Sequence, residues 1–259
     1  MNKLKESDKH LLAARMICSS RHAVIFTGAG ASTESGIPDF RSPGGIWDRF
    51  DERAFDYSSF IKEENSRILH WELFRSFGKE TFPNPAHYAI SKLCALGHIK
   101  AVITQNIDGL HQRAGTPDEL MHELHGSMAN FTCLKCRHSF MLEAVLKMAE
   151  LSAVPDCPQC HGILKPDIVF FGESLPAKAL RQAEEEAKRS DLFIVIGSTL
   201  TVYPAALLPE LALSTGARLL IINLSPTPLD KMADLVICKK AGEVLPVITE
   251  YIKAGAEEL

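Results

Sequence analysis

The sequence predicts an α/β fold in which helices cover both faces of a parallel sheet, with a smaller insert module attached. Short, fully apolar segments alternate with longer segments of helical spacing, as in parallel sheets that are buried on both faces. Several of the apolar segments lead directly into glycine, serine or polar residues, which would gather at one edge of the sheet. Two Cys-x-x-Cys pairs and an aromatic stretch interrupt the alternation and indicate the insert. We therefore expect a Rossmann-like main part and a small additional module.

Composition excludes several classes of protein. The 259 residues carry a net charge of −4 and are 46% hydrophobic, which are ordinary values for a globular chain. This charge gives no general attraction to nucleic acid or to anionic membranes, so neither partner is expected. No apolar run approaches the roughly 18 residues that span a bilayer, and the charged first ten residues lack a signal-peptide core. Seven cysteines, four of them paired, fit a reducing compartment and predict a cytoplasmic location. The oligomeric state stays open, and a monomer is compatible with the sequence.

The first predicted strand leads into a glycine turn. Helical spacing predicts a helix over residues 8–20, followed by strand Ala23–Thr27 and the turn Gly28-Ala29-Gly30. This layout lets backbone N–H groups and a helix N-terminus meet a phosphate, and the glycines would allow the ligand to approach closely. Residues 36–45 are too rich in glycine, proline and serine for regular structure, and they predict a loop that covers the ligand.

Residues 46–82 contain a large share of the aromatic side chains. Two interpretations stay open: a small helical layer that packs on itself, which the pattern favours, or the lining of a pocket beside the glycine turn. The aromatic residues concerned are Trp47, Phe50, Phe55, Tyr57, Phe60, Trp71, Phe74 and Phe77.

The rest of the chain continues the alternation of helices and strands. Ala86–Leu96 predicts a helix ended by Gly97, and Ala101–Thr104 predicts a strand that leads into Gln105–Gly109. The later elements expected are a helix over 176–189, strand Leu192–Ile196, a helix near 204–214, strand Arg218–Ile222, a short strand over 234–238 and a helix over 243–253.

The ends of four strands predict a crevice for an extended ligand of dinucleotide size. Small or polar residues follow these strands at 27–32, 104–108, 197–199 and 223–225. The dinucleotide fingerprint of dehydrogenases is nevertheless incomplete, because Thr33 stands in place of its third glycine. The acidic residue expected about twenty positions further on would be Asp48 or Asp51, and both fall in the aromatic stretch. Hydride transfer is therefore not favoured.

Two cysteine pairs, Cys133-x-x-Cys136 and Cys157-x-x-Cys160, are separated by twenty residues. This is the spacing of a four-thiolate zinc ribbon. Four thiolates complete a tetrahedral shell, so the predicted zinc is structural and does not act as a Lewis acid. Nearby His138 and His161 are interpreted as solvated neighbours. The other cysteines, which are expected to be small buried apolar residues, are Cys18, Cys94 and Cys238.

His125 is the best candidate for acid–base chemistry. A histidine can accept a proton near neutral pH, and His125 precedes Gly126-Ser127 between the predicted sheet and the zinc ribbon. Asn106 and Asp108 follow the second strand and would converge on the same crevice. We therefore expect these three side chains to form one reactive centre.

Several long motifs occur in a fixed order along the chain. They are Gly28–Ser32, Gly36–Arg41, Thr104–His111, Leu124–Gly126, the two cysteine pairs, Lys165–Glu173, Gly197–Thr199 and Asn223–Ser225. Together they resemble the sirtuin family over roughly residues 10–250. The resemblance implies a single catalytic domain over 1–259, with a Rossmann-like part at about 8–45, 84–128 and 166–259. It also implies a small module made of a helical insert at about 46–83 and the zinc ribbon at about 129–165.

The resemblance implies an NAD-dependent protein deacetylase that acts on acetyl-lysine proteins or peptides and holds a structural Zn²⁺. Its products would be nicotinamide, 2′-O-acetyl-ADP-ribose and free lysine. His125 would be the general base that acts on the nicotinamide ribose. Asn106 and Asp108 would position that ribose and the nicotinamide end, over which Asp39 and Phe40 would close.

The resemblance also implies a set of binding residues. Those for NAD are Gly28, Ala29, Gly30, Thr33, Asp39, Phe40, Arg41, Gln105, Asn106, Ile107, Asp108, Gly197, Ser198, Thr199, Asn223, Leu224, Ser225 and Ala241. The first three would cradle the diphosphate, and Ser198, Asn223 and Ala241 would hold the adenosine half. Those for the peptide are Val169, Phe170, Phe171, Gly172, Glu173, Val202 and Tyr203. Here a strand at Val169–Gly172 would pair with the substrate as an added strand.

The acyl pocket is expected to be neutral. Family members that prefer acidic acyl groups carry a Tyr-x-x-Arg pair after the glycine turn, and the corresponding segment His70–Arg75 lacks it. Acetyl-lysine is therefore the expected substrate.

Two other functions stay open as alternatives. NAD-dependent mono-ADP-ribosylation would use the same activated ribose with a protein nucleophile. Nucleic-acid binding by the zinc ribbon is disfavoured, because the basic residues near the cysteines are interleaved with acidic ones.

Overall fold

The computed structural model describes residues 5–76 and 81–255. Three 3₁₀ turns (Ala29–Ser35, Ile46–Asp48 and Glu52–Phe55) lie in the first quarter, and a fourth (Asp118–Leu120) precedes a strand. The helices and strands in chain order are α1 Glu6–Ser19, β1 Ala23–Thr27, α2 Tyr57–Lys62, α3 Glu64–Ser76, α4 Pro85–Ala95, β2 Ile99–Thr104, α5 Leu110–Arg113, β3 Met121–Glu123, β4 Gly126–Cys133, β5 Ser139–Met141, α6 Leu142–Leu151, β6 Leu164–Ile168, α7 Ala177–Arg189, β7 Leu192–Ile196, α8 Leu207–Ser214, β8 Arg218–Ile222, β9 Leu235–Ile237 and α9 Ala241–Lys253.

The main sheet has six parallel strands in the order β3-β2-β1-β7-β8-β9. All five residues of β1 and of β7 are buried, as expected for strands covered on both faces. Alternate residues face two separate cores: Ile25 packs with α1, α4 and α9, whereas Phe26 packs with α7 and α8. The predicted α/β class with helices on both faces is confirmed.

The register of the main sheet aligns the ends of four strands. Thr27 is level with Thr104 on β2 and with Ile196 on β7, which is in turn level with Ile222 on β8. The segments that follow these strands therefore start from the same edge of the sheet, and this edge forms the site described below.

A second, three-stranded antiparallel sheet is ordered β5-β4-β6. Cys133 ends its strand β4, and the other paired cysteines lie in the segments that follow β4 and precede β6. This sheet packs with α3 and α6 around Trp71, which stacks on Phe131 with a ring-centroid distance of 5.5 Å. The strand predicted at Val169–Gly172 is wrong: β6 lies at Leu164–Ile168, and the later residues form only an isolated bridge at Phe171. Lysine and proline within β6 hide its strand pattern in the sequence.

The remaining cysteines were expected to be buried, and this holds for only some of them. Cys94 is buried and Cys18 partly so, but Cys238 is exposed because it follows β9 at the rim of the sheet. The predicted aromatic position Phe77 lies outside the described residues. Across the part of the chain that the structure describes, no helix is long and apolar enough to cross a membrane.

Candidate active site

The turn after β1 is held against the end of β7. The Gly28 N–H donates to the carbonyl of Ile196 at 3.0 Å, and the Gly30 N–H donates to that of Gly197 at 2.9 Å. A Cβ at Gly28 or Gly30 would come within 2.8 Å of the Gly197 oxygen, so both glycines are required for this packing. Among the described residues, the N–H of Ala29 forms no hydrogen bond, which leaves one donor of the turn available to a ligand.

A cleft of about 150 Å³, which we call the polar cleft for the polar side chains on its floor, lies above the aligned strand ends. The predicted NAD-binding residues that line it are Gly28, Ala29, Gly30, Thr33, Asp39, Phe40, Arg41, Gln105, Asn106, Gly197, Ser198, Thr199, Asn223, Leu224, Ser225 and Ala241. Side chains fix its floor: Gln105 Nε2 donates to Ser198 Oγ at 2.9 Å, and Asn223 Nδ2 donates to the Ser225 carbonyl at 2.8 Å. Lys239 and Lys240 also line the cleft. They were not predicted, because they follow a short strand and carry no motif.

A larger, mainly apolar cavity of about 530 Å³ adjoins the cleft and extends into the small module. The remaining predicted residues line it, namely Ile107, Asp108, Val169, Phe170, Phe171, Gly172, Glu173 and Tyr203, while Val202 lines both spaces. Both interpretations of the aromatic stretch hold, for different residues. Trp47, Phe55 and Phe74 line the cavity, whereas Phe60 is fully buried in the packing of the small module.

His125 lies where the two spaces meet, since it lines both. Its Nδ1 is 2.9 Å from the Gln105 carbonyl oxygen, which can only accept a hydrogen bond. The neutral ring therefore carries its proton on Nδ1, and Nε2 is left with a lone pair. Burial lowers the pKa of His125, and the hydrogen bond to Gln105 opposes this shift only in part. The ring is thus neutral at physiological pH and able to accept a proton at Nε2.

The Ser32 hydroxyl forms hydrogen bonds with both Asn106 and Asp108 and so connects these two side chains. It donates to Asp108 Oδ2 at 2.7 Å and accepts from Asn106 Nδ2 at 3.1 Å. Asn106 Nδ2 also donates to the Gly28 carbonyl at 3.1 Å, which fixes the orientation of the amide. His87 on α4 lies behind Ser32, with Nε2 3.4 Å from its Oγ. Ser32 was predicted only as the last residue of the glycine-turn motif, and His87 was not predicted, although its helix-capping position after Asn84 is a readable signal.

The four predicted cysteines come together at one end of the small sheet. All their sulfur atoms lie within 4.8 Å of one another, with Cys133 and Cys160 at 3.5 Å and Cys136 and Cys157 at 3.7 Å. A tetrahedral zinc with Zn–S bonds of about 2.3 Å places its sulfurs about 3.8 Å apart, so the cluster fits this ion. A Cβ at Gly162 would lie 2.9 Å from the Cys133 sulfur. The predicted solvated neighbours, His138 and His161, are both exposed.

Comparison with known proteins gives consistent findings. A family model described as the Sir2 family matches residues 28–204. The chain is 47% identical over 245 residues to the NAD-dependent protein deacylase 2 of Archaeoglobus fulgidus, covering 93% of this chain and 95% of the relative. It is 45% identical over 243 residues to the NAD-dependent protein deacetylase of Thermodesulfovibrio yellowstonii, covering 92% and 93%.

Solved structures match over nearly the whole chain. One is a Sir2 variant with a deacetylated p53 peptide and 3′-O-acetyl-ADP-ribose, at a TM-score of 0.89 and 39% identity, covering 96% of this chain and 99% of that one. Another is Sir2Af2 bound to a myristoylated histone peptide, at a TM-score of 0.83 and 41% identity, covering 97% and 99%.

Proposed function

Because the chain belongs to the Sir2 family, we propose that it removes acetyl groups from protein lysines with NAD as co-substrate. The products are nicotinamide, 2′-O-acetyl-ADP-ribose and free lysine. The observation that carries this proposal is the position of His125, which borders both the polar cleft and the apolar cavity. The reaction transfers an acetyl group from lysine to the ribose of NAD, so its base must lie where the two substrates meet.

The polar cleft is the NAD site. When bound there, NAD supplies the ribose that accepts the acetyl group as nicotinamide leaves. The unbonded N–H of Ala29 donates to a diphosphate oxygen. Ser198 and Asn223 hold the adenosine half, and Asp39 and Phe40 close over nicotinamide, because all four line the cleft.

Asn106 and Asp108 position the ribose beside nicotinamide. The amide nitrogen of Asn106 already donates to Gly28 and Ser32, so its carbonyl oxygen is the group left to accept a hydrogen bond from substrate. Asp108 is fixed in turn by the Ser32 hydroxyl and by the Leu110 N–H at 2.9 Å. A rigid amide–carboxylate pair of this kind orients the substrate without reorganising during the reaction.

His125 is the general base. Its unprotonated Nε2 would take the proton from a ribose hydroxyl, which attacks the acyl carbon once the acyl oxygen has displaced nicotinamide from the ribose. A water molecule would then add to the acyl carbon as the lysine leaves as a free amine. The Gln105 carbonyl, bonded to Nδ1–H, stabilises the imidazolium that results. The base is therefore oriented by a backbone group and needs no carboxylate partner.

The peptide binds along Val169–Glu173 at the mouth of the apolar cavity. Within the described chain, the Gly172 N–H and the Val169 carbonyl form no hydrogen bond. They are available to pair with the backbone of an extended substrate, and backbone pairing tolerates varied side chains. Acetylated proteins or peptides of differing sequence are thus the partners.

Nicotinamide release tests the proposal directly. With an acetyl-lysine peptide and NAD, we expect His125→Ala to lower kcat by about 10²-fold or more, as loss of a general base does. His98→Ala, in the turn between α4 and β2, serves as a histidine control and should retain wild-type rates. Equal rates for wild type and His125→Ala would remove His125 from the mechanism. A modified protein in place of free lysine would instead identify ADP-ribosylation.

The cavity volume favours long-chain acyl-lysine as a second substrate. About 530 Å³ lies within the roughly 300–1,000 Å³ of pockets that enclose drug-sized ligands, far more than an acetyl group fills. Apolar side chains of the small module line it, including Phe74 on α3 and Leu142 and Leu146 on α6. Each buried methylene contributes about 0.8 kcal/mol, and one similar structure holds a myristoylated peptide.

Acyl preference separates these substrate classes. We expect measurable kcat/KM on acetyl-lysine and myristoyl-lysine peptides and much lower values on succinyl-lysine, since no Tyr-x-x-Arg pair is present. Leu146→Trp, which fills the cavity, should lower the myristoyl rate selectively. Activity on succinyl-lysine with none on acetyl-lysine would contradict the neutral pocket. An unchanged myristoyl rate in Leu146→Trp would remove the cavity from the acyl site.

The domain plan and location belong to the same proposal. One catalytic domain comprises an NAD-binding part (about 8–45, 84–128 and 166–259) and a small module (about 46–83 and 129–165). Its support is the separation of the apolar clusters, of which two pack on the main sheet and a third packs between α3, α6 and the small sheet. Four cysteines used as metal ligands suit the reducing cytoplasm.

A further inference from the structure

Lys165 is a buried cation that the proposed chemistry does not use. It lies in β6 with 7% of its surface exposed, opposite Thr132 of β4 in the small sheet. Lysine is almost never buried without a partner, because removing its charge from water is costly. Its position therefore calls for compensating contacts.

Three acceptors surround the Lys165 ammonium. Its Nζ lies 2.8 Å from Glu173 Oε2, 2.6 Å from the Ile168 carbonyl and 3.3 Å from the Pro166 carbonyl. These account for all three of its N–H donors. The Phe170 ring covers the ammonium, with its centroid 4.5 Å from Nζ.

Glu173 closes the same segment from its other end. The carboxylate oxygen that pairs with Lys165 also accepts the Phe170 N–H at 2.8 Å. Residues 168–173 are thereby folded around one ion pair, and the shape of this segment depends on that pair rather than on strand pairing. The ion pair is only partly shielded from solvent, because 24% of the Glu173 side chain is exposed.

The folded segment connects the cavity to the candidate base. Residues 168–173 line the apolar cavity, and the Val169 N–H donates to the His125 carbonyl at 2.8 Å. Phe171 is fixed from its other side by hydrogen bonds with Phe55 and Tyr57. A shift of the segment would therefore move the edge proposed for peptide binding directly. It would affect the NAD cleft only indirectly, because residues 168–173 do not line that cleft.

We propose that Lys165 and Glu173 are positioning residues that set the geometry of the acyl-peptide edge, Val169–Gly172. The inference rests on the function proposed above. It places neither residue in contact with the reacting atoms, and it gives Glu173, predicted above as a peptide-binding residue, the role of holding this edge in place. Breaking the pair should weaken peptide binding selectively and leave NAD binding intact.

The test compares KM for the acetyl-lysine peptide with KM for NAD. Glu173→Gln retains an acceptor for the Phe170 N–H but removes the carboxylate charge that pairs with the buried ammonium. We expect it to raise the peptide KM on the order of tenfold and to change the NAD KM by less than about twofold. Lys165→Met should act in the same direction, and Lys165→Arg, which keeps the charge, should recover part of the loss. A matched control is Lys253→Met, which breaks an exposed Lys253–Glu250 pair on α9 and should change neither KM.

The alternatives give different outcomes. If the pair is only structural, both KM values rise together with a lower melting temperature, or neither changes, and either result overturns the inference. Fluorescence anisotropy of a labelled acetyl-lysine peptide, measured without NAD, provides a second readout in which Glu173→Gln should weaken binding. Should the wild type bind the peptide but form no free lysine, the proposed reaction fails while the positioning role remains testable by anisotropy.

Discussion

At the residue scale, the environment of His125 fixes both its tautomer and the sign of its pKa shift. Burial lowers its pKa below the ordinary value of about 6.5. A general base works deprotonated, so activity rises with pH through this pKa and is fully present above it. We expect kcat/KM for nicotinamide release to be level near neutral pH and to fall below about pH 6.5, with a midpoint on the acid side of that value. A pH–rate profile between about pH 5 and pH 8 measures it.

Unfolding must be separated from catalysis in that profile. Burial also lowers the pKa of His111 to about 3, and it lowers that of His87. Both histidines have a lower pKa in the folded chain than in the unfolded chain, where it is about 6.5. The free energy of unfolding therefore falls once the pH drops below about 6.5. Denaturant titrations at each pH give this contribution. An acid limb with a midpoint above pH 7, in protein that remains folded, would contradict the assignment to His125.

Some residues of the candidate site are predictable from the sequence, and others are not. His125 and the four cysteines could be proposed because their side chains carry the chemistry themselves. Ser32 and Lys165 act through other groups, and their partners Asp108 and Glu173 lie 76 and 8 positions away in the sequence. A serine and a lysine are too common for their types alone to indicate such roles.

At the scale of elements, burial decided which predictions were confirmed. Ala23–Thr27, Leu192–Ile196 and Arg218–Ile222 match their strands residue for residue, because central strands covered on both faces read as continuous apolar runs. The small sheet has no such runs. Its longest strand, β4, exposes two consecutive residues, and β6 contains a buried lysine and a proline. Only tertiary contacts define those strands.

The glycine turn shows a similar limit. Gly28 and Gly30 were predicted to allow close approach of a ligand, whereas the structure shows both packed against Gly197 at the end of β7. Gly197 itself has φ 62°, and a Cβ there would lie 2.2 Å from the Ala31 nitrogen. Three glycines thus allow two loops to contact each other closely. The two loops are about 170 residues apart in the sequence, so the sequence does not reveal this contact.

At the scale of the molecule, β4 links the four-cysteine cluster to His125. It begins at Gly126, next to His125, and ends at Cys133, the first of the four cysteines. The two large apolar clusters around the main sheet contain no residue of the zinc ribbon. Loss of the metal should therefore disturb the small sheet and the peptide edge while leaving the main sheet folded.

Metal removal tests this division of the molecule. We expect one zinc per chain in purified protein, and loss of deacetylation when Cys133→Ser or a chelator removes it, with most helical circular dichroism retained. Tryptophan fluorescence reports selectively, because both tryptophans, Trp47 and Trp71, lie outside the main sheet. Their emission should shift to longer wavelength as the small module loosens. Cys238→Ser, at an exposed cysteine outside the cluster, is the control and should retain zinc and activity. Full activity in metal-free protein would show that the ribbon does not support the peptide edge.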